Sequence, residues 1–362
     1  MKRLECFDGL RGLLAVYVML GHMAPFAVMP GGISRALSHG GAAVDVFFIL
    51  SGLVIVRSLE QGGFAARPFL VARAARIFPV YLLLFAAGMA AQTLPPALPA
   101  MPWVAPNSPG HGIWPDGWPV NWMVEIAAHL TMTHGLFPNG ILPDVWVSFL
   151  GAAWSLSTEW QFYVLALVLG RARMGTLRLT PGRLAMERLA FAFLILAAAG
   201  LLWNFIAPDA WRFSRAFLPN KAHYFALGIA SAALIQDGSR RRYALMLTAV
   251  AILCAVSGPV EKILPPLLWT ACLIAQLRPG WWSIPLRSHI IQWLGAVSYP
   301  IYLVNEPVQK AIGYGLAWYA AGNGTLFTMM WIPAATLIPI GLAALIHRYV
   351  EIPAGRWGRT IR

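Results

Sequence analysis

The hydrophobic positions of this chain fall into long stretches, separated by short polar segments or by runs rich in glycine and proline. Several stretches approach the roughly 20 apolar residues that a helix needs to cross a bilayer. No internal repeat and no separate soluble domain is visible, so we expect residues 1–362 to form one all-α, polytopic membrane domain with about ten transmembrane helices. The predicted spans are 9–29, 42–60, 77–92, 147–169, 188–206, 221–236, 243–258, 263–277, 289–319 and 326–348.

The composition agrees with this pattern. Hydrophobic residues make up 59% of the chain and charged residues 11%, with a mean hydropathy of +0.64. A soluble domain carries about 25% charged residues. Lipid is therefore the expected solvent, and an integral, multi-pass protein of the bacterial cytoplasmic (inner) membrane is the expected location. No small-residue cleavage site follows the first apolar run, so we expect that run to be retained as a helix.

The net charge of +13 does not favour nucleic-acid binding, because the arginines collect in short segments between spans. All of these segments fall on one side of the membrane if the spans alternate, as the positive-inside bias requires. Residues 92–146 contain no Lys or Arg and fall on the other side. We therefore expect both termini to be cytosolic and 92–146 to be extracytoplasmic. The arginine-rich segments are 57–76, 171–188, 237–243, 277–287 and 347–362.

The segment 92–146 is rich in Pro, Trp and Gly and is too long for a plain connection. It is expected to be either an ordered functional element or a flexible lid. Two interpretations of its tryptophans stay open: they stack on a sugar ring, or they anchor the protein at the membrane interface. The tryptophans concerned are Trp103, Trp114, Trp118 and Trp122.

Two ionisable residues, Arg11 and His22, lie at the ends of the apolar run "RGLLAVYVMLGH". Eleven helical positions amount to three turns plus about 20°, so both side chains share one face, about 16 Å apart along the axis. One interpretation is that Arg11 snorkels to the interface while His22 bonds a neighbouring helix. The other is that both belong to a functional site, the default for ionisable groups within a membrane.

Further polar residues lie within or at the ends of the other spans. Asp45 is either a helix N-terminal residue or part of a site, and Ser51-Gly52 either permits close packing or contributes to binding. Ser155, Glu159 and Tyr163 follow i, i+4 spacing and form one stripe in the fourth span. The remaining candidates are Arg73 and Arg76 on one face of the third span, and Tyr299, Asn305 and Glu306 in the ninth.

Six of these stretches together resemble the acyltransferase-3 family of integral membrane acyltransferases, which includes glycan O-acetylases. They are R-x10-H in the first span, "VDVFFILSGLVI", "RIFPVYLL", "WSLSTEWQFY", "LGAVSYPIYL" and "RYVEIPAGRW", in family order from residue 7 to about residue 357. The resemblance implies ten transmembrane helices, an acyl-coenzyme A donor (commonly acetyl-CoA) approached from the cytosol, and a saccharide or glycan acceptor. Coenzyme A thioester, acceptor and membrane lipids are thus the expected partners.

On this resemblance, Arg11 and His22 match the family's essential Arg/His pair. The family's other motif positions correspond here to Asp45, Ser51, Gly52, Arg73, Arg76 and Glu159. The chain departs from the pattern at Leu53, where Phe is usual, and at Asn305-Glu306, where a His-containing run is common. Those last two residues, with Tyr163 and Tyr299, are candidates for contacts to the acceptor.

A mechanism follows as a hypothesis. Arg11, Arg73 and Arg76 hold the phosphates of the donor, with Ser51 and Gly52 as further candidates for donor contacts, since Arg forks match phosphate oxygens. His22 then acts as general base or as acyl carrier, and Asp45 or Glu159 orients its second ring nitrogen as the acid of a catalytic triad does. Ser51, Tyr163 and Tyr299 are candidate donors to the oxyanion.

The main competing function is a secondary transporter for an anionic solute. Transporters commonly show repeated halves with broken helices that meet at the midplane, and the chain shows no such pair. No histidine pattern suggests a zinc site, so no metal cofactor is expected.

Overall fold

The computed structural model describes residues 4–177, 183–236 and 238–360, and most of them are helical. The described part of the chain contains no strand, only an isolated bridge between Pro138 and Phe213. The helices are α1 Glu5–Met23, α2 Gly31–Leu37, α3 Gly40–Gln61, α4 Ala66–Ala91, α5 Gly110–Ile113, α6 Trp122–Leu130, α7 Trp154–Leu177, α8 Arg183–Ile206, α9 Ala222–Ile235, α10 Arg240–Ser257, α11 Leu264–Leu277, α12 Ile284–Arg287, α13 His289–Ala320, α14 Gly324–Ile346 and α15 Ile352–Thr360.

Each of the ten predicted apolar segments coincides with one long helix of this bundle. The helix boundaries differ most at two of them. α4 begins at Ala66 rather than at 77, because the arginine-bearing stretch 66–76 continues the same helix. α7 begins at Trp154 rather than at 147, because residues 147–153 form turns and a short 3₁₀ helix.

Within the described part of the chain, five helical stretches are long and apolar enough to cross a membrane. Together with the hydropathy, they identify an integral membrane protein. The five stretches are Glu5–Phe26, Gly31–Gln61, Ala66–Ala91, Ala185–Ile206 and Gly324–Thr360.

α1 and α13 pack along each other in parallel. Gly12 and Gly295 face each other at this contact, and a Cβ on Gly12 would lie 2.5 Å from the backbone N of Gly295. Small residues let membrane helices approach this closely. The Nε and Nη2 atoms of Arg11 both donate to the carbonyl oxygen of Gly295, at 3.2 and 2.7 Å.

α3 and α9 form a second close contact, through Gly52 and Gly228. A Cβ on Gly228 would lie 1.9 Å from the carbonyl oxygen of Ile49 and 2.9 Å from the Cα of Gly52. Gly52 is therefore a packing residue between two helices. This position matches the alternative that a small residue here permits close packing, whereas the contribution of Gly52 to donor binding stays a prediction.

The bundle has two ends, which we name by their residues. The arginine end is where α3 finishes and α4 begins, and it also contains the start of α1 and the helix α15. The loop end is where α1 finishes and residues 92–153 lie. Trp103 Nε1 donates to the carbonyl of Phe26 at 2.9 Å, and the ring of Trp114 stacks on that of Phe26 at 3.6 Å between centroids.

These contacts pack the Trp103–Trp114 part of the segment 92–146 against the 3₁₀ turn that follows α1. Trp114 is only 2% exposed, so its ring belongs to a buried cluster and is available neither to a sugar nor to the membrane interface. Trp118 and Trp122 are partly exposed and contact each other edge to face.

We expect Gly228→Ala to lower the free energy of unfolding by about 1–3 kcal/mol or more, because the added methyl overlaps the backbone of α3. Gly341→Ala is the matched control, since nothing lies within 4 Å of a Cβ at that position. Thermal unfolding of the two purified variants measures the effect. Equal midpoints would contradict the close α3–α9 contact.

Candidate active site

Three cavities lie one after another between the arginine end and the loop end. The arginine-end cavity has a volume of about 530 Å³ and is lined by Arg73, Arg76 and Arg359 among others. The central cavity, of about 140 Å³, is lined by Arg11 and again by Arg73 and Arg76. The loop-end cavity, of about 670 Å³, is lined by His22 and by residues of the segment 92–153.

Neighbouring cavities in this series share lining residues. Arg73 and Arg76 line both the arginine-end and the central cavity, and Tyr302 lines both the central and the loop-end cavity. The Tyr302 hydroxyl lies 3.0 Å from the Oγ of Ser155. Arg11 thus lines the central cavity and His22 the loop-end cavity, and these two cavities meet at Tyr302.

The hydrogen bonds around His22 define its tautomer. Nδ1 of His22 lies 2.8 Å from Oδ1 of Asn305. The Asn305 amide nitrogen donates to the carbonyl oxygens of Ile301 and Tyr302, at 3.1 and 2.7 Å, which assigns the other amide atom as the oxygen. Because that oxygen only accepts, Nδ1 of His22 is the donor, and in the neutral ring the lone pair therefore lies on Nε2.

The next residue on α13, Glu306, binds the start of the segment that leads into α7. Its two carboxylate oxygens accept hydrogen bonds from the backbone N–H groups of Gly151 and Ala152, at 2.9 and 2.8 Å. Glu306 is 9% exposed, lines the loop-end cavity with His22, and interacts electrostatically with that ring. The backbone amides partly compensate the cost of burying a carboxylate.

In the central cavity, Glu159 accepts two hydrogen bonds. Ser51 Oγ donates to one carboxylate oxygen and the Tyr163 hydroxyl to the other, both at 2.7 Å. Arg73 and Arg76 line the same cavity. The structure therefore brings together five residues that the sequence predicts for one site, with both cations beside a carboxylate.

Neither predicted carboxylate bonds to His22. Asp45 forms an ion pair with Lys221, at 2.6 Å between Oδ1 and Nζ, and lines a different cavity. Glu159 is bonded to Ser51 and Tyr163. The ring partner of His22 is Asn305, a residue predicted from the sequence to contact the acceptor.

The hydroxyl groups predicted to stabilise an oxyanion already donate hydrogen bonds to other groups of the protein. Ser51 and Tyr163 donate to Glu159, and the Tyr299 hydroxyl donates to the carbonyl of Ile77 at 2.8 Å. Tyr302 is the tyrosine that lies between the central and loop-end cavities. The sequence feature that could have identified Tyr302 is its i, i+4 spacing to Glu306, which places both residues on one face of α13.

A buried histidine pair lies at the loop end near this site. The rings of His129 and His134 stack at 4.1 Å between centroids, and both side chains are fully buried. His129 Nε2 lies 2.8 Å from the carbonyl of Val145, and His134 Nε2 lies 3.2 Å from that of Ala153. Burial lowers the pKa of His134 to about 4 and that of His129 well below its ordinary value, so both rings are neutral at pH 7.

Comparison with known proteins identifies the family of this chain. Residues 4–348 match the profile of the acyltransferase-3 family, described as an acyltransferase domain. The chain belongs to the acyltransferase-3 family. This membership confirms the resemblance predicted from the six motifs.

Two curated proteins are similar to this acyltransferase-3 protein. The acyltransferase MdmB of Streptomyces mycarofaciens is 28% identical over 401 residues, which cover 98% of this chain and 92% of that protein. Protein 2 in the picA locus of Rhizobium radiobacter is 34% identical over 89 residues, 24% of this chain and 44% of that protein. No solved structure shows significant similarity.

Membership of the acyltransferase-3 family identifies an enzyme that moves an acyl group from a donor to an acceptor. Within residues 4–177, 183–236 and 238–360, no group of three His, Cys, Asp or Glu side chains is arranged to hold a metal ion.

The histidine pair predicts a pH dependence of stability. A histidine whose pKa is about 4 when folded and about 6.5 when unfolded takes up more protons in the unfolded state, so stability falls as the pH drops from about 6.5 towards 4, by about 3 kcal/mol at most. His134→Gln should make this fall shallower, since an amide can still donate to Ala153 but does not titrate. Melting temperatures between pH 7 and pH 5 measure the slope.

His111→Gln is the control for this prediction, because His111 is exposed on the same segment. It should leave the slope of melting temperature against pH unchanged. Identical slopes for all three proteins would show that the buried pair is not what titrates.

Proposed function

We propose that this acyltransferase-3 protein is an O-acyltransferase that moves an acyl group, commonly acetyl, from cytosolic acyl-CoA to a hydroxyl of a saccharide or glycan acceptor. The observation that carries the proposal is the geometry of His22. Its Nδ1 is bonded to Asn305 and its Nε2 keeps a lone pair, in a cavity that meets an arginine-lined cavity at Tyr302.

The proposed orientation rests on charge. Ten helices cross the membrane, and the arginine end faces the cytosol, as the positive-inside bias requires. Residues 92–146, which have no Lys or Arg, then lie outside, and both termini are cytosolic. In a bacterial cytoplasmic membrane, this orientation places the arginine end in the cytosol, which contains the acyl-CoA.

The donor enters from the arginine end. Arg73 and Arg76 line the two cavities at this end, and their guanidinium forks match the phosphate oxygens of coenzyme A. The uncharged pantetheine arm extends through the central cavity towards Tyr302. Arg11 also lines the central cavity, where its bonds to Gly295 hold it in place.

The acceptor enters from the loop end. The loop-end cavity is lined by carboxylates and indole rings, including Asp144, Glu306, Trp146 and Trp154. Carboxylates accept hydrogen bonds from sugar hydroxyls, and aromatic faces pack on sugar C–H groups. A volume of about 670 Å³ accommodates a small saccharide.

The reaction occurs where the cavities meet. Nε2 of His22 accepts the proton of an acceptor hydroxyl, and the oxygen attacks the thioester carbonyl. We assign stabilisation of the resulting oxyanion to the Tyr302 hydroxyl. The C–S bond then breaks, and the imidazolium returns its proton to the departing thiolate of coenzyme A.

Two residues of α13 stabilise the imidazolium that forms in this step. Asn305 Oδ1 accepts from Nδ1 throughout, and the carboxylate of Glu306 supplies negative charge nearby. The same Nε2 lone pair would carry the acyl group in an acyl-histidine route. A burst of released coenzyme A in the absence of acceptor distinguishes that route from direct transfer.

We expect His22→Ala to reduce acyl transfer by about 10²–10⁴-fold, the usual contribution of a general base. Donor binding, measured as thermal stabilisation by coenzyme A, should persist because the arginines remain. His289→Ala, at an exposed position on α13, is the control and should keep full activity. Wild-type transfer by His22→Ala would refute the proposed role. A wild-type protein that coenzyme A does not stabilise would refute the donor and favour a transporter for another solute.

A pair of substitutions tests the tautomer. Asn305→Leu removes the acceptor for Nδ1 and should lower the rate of acyl transfer by about 10-fold or more. Asn305→Asp keeps an oxygen that accepts this bond and should retain more activity than Asn305→Leu. If the two variants lose equal activity while remaining folded, the hydrogen bond does not set the tautomer.

A further inference from the structure

A second cavity opens at the loop end, beside the loop-end cavity, and we call it the lysine cavity. It has a volume of about 610 Å³ and is lined by Lys221, Lys262 and Arg215. Lys221 and Arg215 belong to the connection between α8 and α9, and Lys262 lies just before α11. Three cations from two separate connections therefore converge on one space.

The carboxylates that line this cavity do not balance these cations. Asp45 pairs with Lys221 at 2.6 Å, and Glu261 pairs with His39 at 3.4 Å. Lys262 Nζ donates to the carbonyl of Ser257 at 2.7 Å, and no carboxylate of the described residues lies within ion-pair distance of it.

Arg215 likewise has aromatic rather than acidic neighbours. Its guanidinium lies 5.0 Å from the ring centroid of Trp146 and 5.7 Å from that of Trp154. In the part of the chain that the structure describes, it makes no ion pair. Burial is the main cause that lowers the pKa of Lys262, and repulsion from the nearby charge of Lys221 lowers it further. Bound negative charge would relieve this repulsion.

His223 supplies an independent observation. Its side chain lines the lysine cavity and is 6% exposed, and its Nε2 atom is buried with no hydrogen-bond partner among the described residues. A buried polar atom without a partner costs free energy. A polar group bound in the cavity would provide this partner.

The lysine cavity and the loop-end cavity adjoin each other. Both are lined by Ser38, Gly41, Trp154 and Arg215. A molecule with a hydroxyl beside His22 can therefore extend past Arg215 to Lys262. The two cavities together are large enough for more than one sugar unit.

We propose that the lysine cavity binds a phosphate group carried by the acyl acceptor, so that the acceptor is a phosphate-bearing saccharide. This inference rests on the proposed function, because it assumes that the acceptor occupies the loop-end cavity. A carboxylate is planar and is satisfied by one Arg fork. A phosphate dianion has three free oxygens and a larger charge, which suit cations that converge from separate segments.

The test uses the full-length protein in nanodiscs of neutral phosphatidylcholine. Thermal stabilisation is titrated with inorganic phosphate, glucose 1-phosphate, glucose and glucuronate. The variants are Lys262→Gln and Arg215→Gln, with Arg241→Gln as the matched control, since Arg241 is exposed at the arginine end. Each titration is repeated in His22→Ala, which lacks the proposed base but keeps the lysine cavity.

We expect glucose 1-phosphate and inorganic phosphate to stabilise the wild type and glucose to have no effect. The apparent affinity for both phosphates should fall about ten-fold or more in Lys262→Gln and Arg215→Gln, and should not change in Arg241→Gln. His22→Ala should bind as the wild type does. If the His22→Ala variant binds both phosphates and also transfers acyl groups at the wild-type rate, the proposed role of His22 is refuted but the phosphate site is still supported.

Three results would overturn the inference. The first is the absence of stabilisation by either phosphate, and the second is stabilisation that both lysine-cavity variants retain. The third is stronger binding of glucuronate than of glucose 1-phosphate, which would assign a carboxylate. Repeating the titration with phosphatidylglycerol in the nanodisc distinguishes the source: loss of the glucose 1-phosphate effect there would assign the site to a lipid headgroup, and its persistence supports the acceptor.

Discussion

The parallel contact between α1 and α13 is the interaction on which the candidate site depends. One helix carries Arg11 and His22, and the other carries Gly295 and Asn305 at nearly the same separation. Because the helices run in the same direction, both polar residues of α1 meet partners on α13. Small residues at Gly12 and Gly295 permit the approach, and a side chain there would separate the helices before either hydrogen bond formed.

In the proposed mechanism, the neutral partner of His22 sets the tautomer of its ring. A carboxylate bonded to the ring would have to be desolvated within the bundle, whereas an amide oxygen selects the same tautomer at a lower cost. The negative charge is instead carried by Glu306, one residue further on. Two backbone N–H groups donate hydrogen bonds to its carboxylate and so lower the free-energy cost of its burial. The proposed mechanism thus divides between neighbouring residues the orientation and the charge compensation that one aspartate supplies in a catalytic triad.

Much of this architecture can be predicted from sequence, because hydrocarbon imposes strong constraints on pattern. Long apolar stretches locate the helices, and i, i+4 spacing brings Glu159 and Tyr163 together, as the structure confirms. Contacts between distant segments cannot be predicted in this way. Asp45 pairs with Lys221, 176 positions away, and Gly52 meets Gly228, because those contacts depend on how α3 and α9 pack. Pairing of His22 with Asn305 depends equally on the packing of α1 and α13.

In the proposed mechanism, a boundary at Tyr302 between two cavities suits the chemistry better than one open channel. A thioester exposed to water is lost to hydrolysis, and an open passage would also leak ions across the membrane. Tyr302, hydrogen-bonded to Ser155, lies where the arginine-lined central cavity meets the His22 side. Only the acyl carbonyl, the smallest part of the donor, has to reach this boundary. On the proposed function, the small central cavity, about 140 Å³ in volume, would keep the nucleotide of the donor on the arginine side.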